Sequence, residues 1–136
     1  MGKTKFNELK QIFKTLHGPK GCLWDKEQTH QSLLKSLKEE TRELTQAIKN
    51  EDFDNMKEEL GDVLLQVMFH SQIALKKKKF DVEDVIEVLI KKLKRRHPHV
   101  FGKTKVKSSA QIIRNWNKIK TEEKKKLDKK SGRIDL

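Results

Sequence analysis

Apolar residues at Phe6, Leu9, Phe13 and Leu16 recur at helical spacing, and the run stops at the breaker pair Gly18-Pro19, which predicts a short first helix. Residues 18–29 lack that period and read as a loop carrying Cys22, Trp24 and Asp25. Leu33, Leu37, Leu44, Ala47 and Ile48 then mark a second helix with Thr29 as candidate N-cap, and residues 50–54 supply a turn. A third helix is predicted from about residue 54 to 78. Its apolar positions, Met56, Leu60, Val63, Leu64, Leu65, Val67, Met68, Phe69 and Ile73, cover most of its circumference, so it belongs at the centre of the fold. Asp81 suits the N-cap of a fourth helix through Val82, Val85, Ile86, Leu89 and Leu93, with Glu83 and Asp84 favourable at its positive end. That helix ends near His97-Pro98, because a proline disfavours helix at the residue before it. Ser108 or Ser109 caps a last helix through Ile112, Ile113, Trp116 and Ile119. With no alternation of period two, no repeat and no linker, the expected fold is all-α: an antiparallel helical bundle of about four main helices plus a short N-terminal helix. Residues 1–136 form one domain in this reading, and 121–136 a flexible basic tail.

Composition bears on assembly and partners. Only 34% of the 136 residues are hydrophobic and 38% are charged, which fits long helices with one solvated face, or a protomer that completes its core in a homo-oligomer. The net charge of +12 favours an anionic partner without naming it, and the lysine-rich stretches 76–79 and 124–130 serve solubility equally well. Cys22 is the only cysteine, so no internal disulfide is expected. The stretch 60–75 is interrupted by six polar or glycine residues and is far from a membrane span. A cytoplasmic protein without a membrane segment is expected.

The acids change the picture most. At about 100° per residue, with Glu40 at zero, Leu33, Leu37, Leu44 and Ala47 fall at about +20°, +60°, +40° and −20°. Glu40 therefore points inward, where a lone carboxylate is costly. Glu43 borders the stripe, and Glu39 lies about 100° away and is more exposed. On the third helix Glu59, Asp62, Gln66 and His70 share one arc. Each helix thus offers an acid pair at i and i+3, Glu40 with Glu43 and Glu59 with Asp62, and antiparallel packing would gather all four. Surface ion pairs with Lys38, Arg42, Lys49 and Lys57 are the plain alternative. A hard cation resolves the repulsion otherwise, and an all-oxygen donor set favours Mg²⁺, Mn²⁺ or Ca²⁺ over zinc. His70 reads as a hydrogen-bonded core residue, and a di-iron site would need Glu-x-x-His on two helices where only Glu27 and His30 have the spacing.

The residues Gly21-Cys22-Leu23-Trp24-Asp25, Gln28-Thr29-His30, Glu39-Glu40-x-x-Glu43, Glu58-Glu59-Leu60-Gly61-Asp62 and Arg95-Arg96-His97-Pro98-His99-Val100-Phe101-Gly102 resemble the MazG family in order and spacing over about residues 6–120. The family loop usually has proline where this chain has Leu23. The resemblance implies Mg²⁺-dependent hydrolysis of a nucleoside triphosphate to monophosphate and pyrophosphate, by a homodimer or higher homo-oligomer, with housecleaning of non-standard nucleotides as one possible task. It implies Glu40, Glu43, Glu59 and Asp62 as magnesium ligands, with Mn²⁺ a substitute, and Glu39 as a water-orienting acid. Lys92 and Arg96 match its phosphate contacts, Trp116 and Lys120 its aromatic and basic pair near the nucleotide, and Trp24 lies in its substrate loop. The plainer readings are a solvated basic face for Lys92 and Arg96, core packing for Trp116 and a loop anchor for Trp24. A small basic helical module that binds nucleic acid explains the charge but none of the acids, so nucleic acid is not required.

Overall fold

The structure, a computed structural model, describes the backbone of residues 4–131 and the side chains of residues 4–127. Every regular element among the described residues is a helix: α1 Lys5–Leu16, α2 Leu23–Glu27, α3 Leu34–Lys49, α4 Phe53–Lys76, α5 Val82–Arg96, α6 Pro98–Phe101 and α7 Ser109–Ser131. The chain divides into two compact units, residues 1–85 and 86–136, with the border inside α5.

In the first unit α4 packs against both α3 and α1, which makes it central, as its apolar circumference predicts. The core joins Phe13 of α1, Leu33, and Met68, Phe69 and Ile73 of α4, with Phe6, Leu9 and Val82 packed at its edge. Phe69 organises it, meeting the rings of Phe13, His17 and Trp24 edge to face at 5.2–6.2 Å. His17 is buried with neither ring nitrogen partnered; burial, then the Lys76 charge, holds its pKa below the ordinary value against a smaller opposing pull from Asp25.

Capping explains the helix boundaries. Thr4 and Asp52 accept from the backbone N–H groups of Asn7 and Asn55, so α4 starts just ahead of the predicted residue. Asp81 and Asp84 cap each other's N–H reciprocally at the start of α5, and Ser108 accepts from Gln111 at the start of α7. Thr29 caps, but not α3 itself. It exchanges backbone-to-hydroxyl bonds with Ser32, shaping the turn before α3 begins at Leu34. The C-termini of α3 and α4 are built alike. Glu51 and Lys78 take left-handed φ of 53° and 59°, and the N–H groups of Asp52 and Lys79 reach back to the carbonyls of Ala47 and Ala74.

Two stretches differ from expectation. Residues 23–27, predicted as loop, form α2, because the chain folds back onto the end of α1: the Cys22 N–H donates to the Leu16 carbonyl at 2.8 Å. A Cβ at Gly21 would stand 2.0 Å from that same oxygen, so only glycine fits. The stretch from residue 121, expected to be a flexible basic tail, continues α7 in helical form to Ser131, and residues 132–136 lie outside the described residues. Propensity accounts for this, since lysine and glutamate are good helix formers even without apolar contacts.

Candidate functional site

The antiparallel pairing of α3 and α4 builds a polar seam between apolar flanks. Along it Ser36 accepts from the Gln66 amide at 2.9 Å, Glu40 comes within hydrogen-bonding reach of Asp62, and Glu43 within that of Glu59. Carboxylate oxygens of Glu40, Glu43 and Glu59 lie within 4.8 Å of one another, close enough to hold one metal ion. Asp62 is half-buried beside Glu40. Of the four acids named from spacing, the structure thus gathers three within metal-holding distance and sets Asp62 next to Glu40. Glu39 is exposed on α3 and takes no part in these contacts.

Electrostatics sets this cluster apart from surface acids. Among the described residues no lysine or arginine forms an ion pair with any of the four, so the pairs with Lys38, Arg42, Lys49 and Lys57 are not made. One oxygen each of Glu40 and Glu59 is buried without a hydrogen-bond partner. Burial, and then the charges of Asp62, Glu43 and Glu59, raise the Glu40 pKa. Burial, and then Glu43, raise that of Glu59. Unpaired buried acceptors, mutual repulsion and an all-oxygen donor set are what a hard divalent cation corrects. The residues fit such an ion.

The seam continues past the acids. Gln66 is 2% exposed and its side-chain oxygen has no donor, and His30 and His70 stack in parallel with their Nδ1 atoms 2.8 Å apart. Burial, then His30, lowers the His70 pKa; the residue is half-buried, hydrogen-bonded through Nδ1 and without a partner at Nε2.

The second unit holds a cavity of about 800 Å³ between α5 and α7, lined by Lys92, Arg95, Arg96, Lys120, Glu123 and Lys124 among others. Lys92, Arg96 and Lys120 thus share one concavity. The Arg96 guanidinium lies over the Trp116 ring at 5.3 Å, and His97 meets that ring edge-on at 4.9 Å. Sequence reasoning missed Glu123, which accepts from both Arg95 and Arg96. The signal was available: Glu123 is seven residues after Trp116 and so within about 20° of it on the helix, but that stretch was read as tail. In the first unit Trp24 packs perpendicular to Phe69 and is still 59% exposed, so it anchors its segment and leaves much of its ring open to solvent.

Fold and site define an all-α domain whose central helical hairpin carries a carboxylate centre able to hold a cation. The chain belongs to the MazG family: the profile of the MazG nucleotide pyrophosphohydrolase domain matches residues 28–101, a span that includes all four acids and crosses the border between the two units. It is 54% identical over 129 residues to the nucleoside triphosphate pyrophosphohydrolase/pyrophosphatase MazG of Thermotoga maritima, covering 95% of this chain and 48% of that protein. It is 40% identical to the nucleoside triphosphate pyrophosphohydrolase of Escherichia coli K12, over 97% of this chain and 51% of the relative. The crystal structure of a mazG-related protein from Thermotoga maritima superposes with a TM-score of 0.66 at 27% identity, covering 83% of this chain and 96% of that one. The chain spans about half the length of these two curated relatives. The one departure in the loop is benign here, because Leu23 is the first residue of α2, a position where proline and leucine are both accommodated.

Proposed function

We propose that the chain hydrolyses nucleoside triphosphates between the α and β phosphates, giving a monophosphate and pyrophosphate, with Mg²⁺ as the ion and Mn²⁺ as a substitute. The observation that carries this reading is the cluster of Glu40, Glu43 and Glu59, with Asp62 beside Glu40, which forms no ion pair with a lysine or arginine among the described residues and leaves two oxygens buried without partners. Bound there, a divalent ion supplies positive charge to phosphate oxygens and lowers the pKa of a coordinated water. The four carboxylates would hold the ion, two from each helix. Glu39, on the same helix and exposed, is the acid available to orient the attacking water and take its proton. The water oxygen bonds to the α-phosphorus as the bond to the bridging oxygen breaks, and pyrophosphate leaves. Lys92 and Arg96 are assigned to phosphate binding and Trp116 with Lys120 to the nucleotide, on the family pattern, on the cavity that Lys92, Arg96 and Lys120 share in the second unit, and on the contact of Trp116 with Arg96. Trp24, exposed over more than half its surface, is assigned to substrate contact.

A homo-oligomer, a dimer at least, accompanies this reading. Phe53, Leu60, Leu64, Leu65 and Val67 of α4 are 40–72% exposed in the protomer, an apolar surface that a second copy would cover. No helix among the described residues is long and apolar enough to cross a membrane, and the substrates would be the soluble nucleotides of the cytoplasm. The test is pyrophosphate release from ordinary and damaged ribo- and deoxynucleoside triphosphates, with and without Mg²⁺. Turnover should require the ion and disappear in Glu40→Gln and Asp62→Asn proteins that still fold. If no triphosphate in the panel yields monophosphate and pyrophosphate, the proposal fails; a preference for damaged bases would identify a housecleaning role.

A further inference from the structure

We infer that Glu123 is a positioning residue that fixes Arg96 for oxyanion binding, holding one edge of the guanidinium so that the opposite edge faces an incoming phosphate. This rests on the assignment of Arg96 to phosphate binding above.

The geometry lies wholly within the second unit. One carboxylate oxygen of Glu123 accepts from Arg96 Nε at 3.2 Å and Nη2 at 2.8 Å, while the other accepts from Arg95 Nε. Arg96 and Glu123 side chains are only 16% and 20% exposed, whereas Arg95 is 49% exposed, so the Arg96 pair is the sheltered one. Of the five guanidinium N–H groups of Arg96, Glu123 engages two on the side next to the stem. Both Nη1 hydrogens and one on Nη2 remain, which is the forked edge that suits two phosphate oxygens. The guanidinium carbon also lies over the Trp116 ring at 5.3 Å, so the group is held by the ring as well as by the two-point contact with Glu123 that sets its rotation. A free arginine would have to give up that rotational freedom on binding.

Glu123 also stands alone in sign. Among the described residues it is the one acid lining a cavity bordered by Lys92, Arg95, Arg96, Lys120 and Lys124. Burial would raise its pKa, but the hydrogen bonds and charges of Arg95 and Arg96 outweigh that and hold it below the ordinary value, so it stays an anion through the neutral range. As a carboxylate it orders the arginine while neutralising only one of the surrounding positive charges, and the cavity remains electropositive.

The experiment compares wild type, Glu123→Gln, Glu123→Asp, Arg96→Lys and the Gln/Lys double variant, each checked by circular dichroism, for KM and kcat on the best triphosphate and for calorimetric affinity toward inorganic tripolyphosphate. Glu123→Gln should raise KM and weaken tripolyphosphate binding about three- to tenfold, the factor expected for leaving one long side chain to be ordered on binding, with kcat within about twofold. Glu123→Asp should recover most of the loss. In the Arg96→Lys background, where no fork remains to be aimed, Glu123→Gln should add less than about twofold. The inference is overturned if Glu123→Gln leaves both KM and tripolyphosphate affinity unchanged, or if its effect persists undiminished in the Arg96→Lys background. A wild type that binds tripolyphosphate in this Glu123-dependent way yet hydrolyses no triphosphate would sink the proposed function and leave the positioning role standing.

Discussion

Replacing Glu40 by Gln should stabilise the metal-free protein, the opposite of what most substitutions at half-buried sites do. Carboxylates within 4.8 Å of one another repel by about 0.9 kcal/mol per pair at the dielectric constant of water and about 3.5 kcal/mol at an effective value near 20. Glu40 is half-buried and Glu43 exposed, so solvent screening puts the repulsion toward the lower figure. Relief from the acids that surround Glu40 then amounts to about 1–2 kcal/mol, and the new amide can donate to the Asp62 carboxylate. For a chain of this size the melting temperature in a chelator should rise by about 3–6 °C. In Mg²⁺ the order should reverse, because wild type gains from ion binding what the variant has lost. The pH dependence follows from the direction of the shift. Glu40 has a raised pKa in the folded state, so its proton-linked stability is present below the ordinary value of 4.5 and lost as pH rises through the raised one. The advantage of the variant should therefore shrink toward zero as the pH falls to about 4.5. Thermal unfolding followed by circular dichroism in chelator at pH 7.5 and pH 4.5 decides. A Glu40→Gln protein no more stable than wild type at pH 7.5 would refute the claim that these acids repel one another.

Two further outcomes follow from the first unit. His70 has a lowered pKa, so the unfolded chain binds its proton more readily, and the associated stability is lost as pH falls from 6.5 through the depressed value. His70→Gln should flatten the fall in stability between pH 6.5 and 5 without abolishing it, since His17 titrates in the same direction; an unchanged slope in urea titrations would count against the histidine pair. Phe69→Ala removes a ring packed against three others at a 4% exposed site and should cost about 3–5 kcal/mol by urea unfolding. A loss below about 1.5 kcal/mol would mean that Phe69 is not the centre of the core.

The acid cluster was legible in the sequence because it depends on helix phase alone. Once Leu33, Leu37, Leu44 and Ala47 define a stripe, Glu40 must lie inside it, and the i, i+3 spacing on α4 supplies the facing pair. The orphaned oxygen on Glu59 was not legible, because its burial depends on how closely α3 approaches. The stacking of His30 on His70 is tertiary in the same sense: forty residues separate two rings whose meeting depends on the Thr29–Ser32 turn. Helix α2 escaped notice because five residues carry no period, and its start is set by the Cys22 bond to the end of α1. Glu123 was lost for a different reason. Apolar content thins along α7 before residue 123, whereas an ion pair with two arginines docks the helix beyond that point.

The seam between α3 and α4 has the arithmetic of a zip. Ser36 faces Gln66, Glu40 faces Asp62 and Glu43 faces Glu59, so the numbers of each facing pair add to the same total. The centre is thus stored as a phase relation between two rods and not as a set of loop positions. Deleting one residue of α3 between Ser36 and Glu40 would swing the Ser36 rung about 100° away from the acid rungs without changing a single acid. A substitution beside the seam leaves that phase intact, whereas a length change between its rungs breaks it, so the number of residues from Ser36 to Glu43 and from Glu59 to Gln66 matters to the centre as much as the acids themselves.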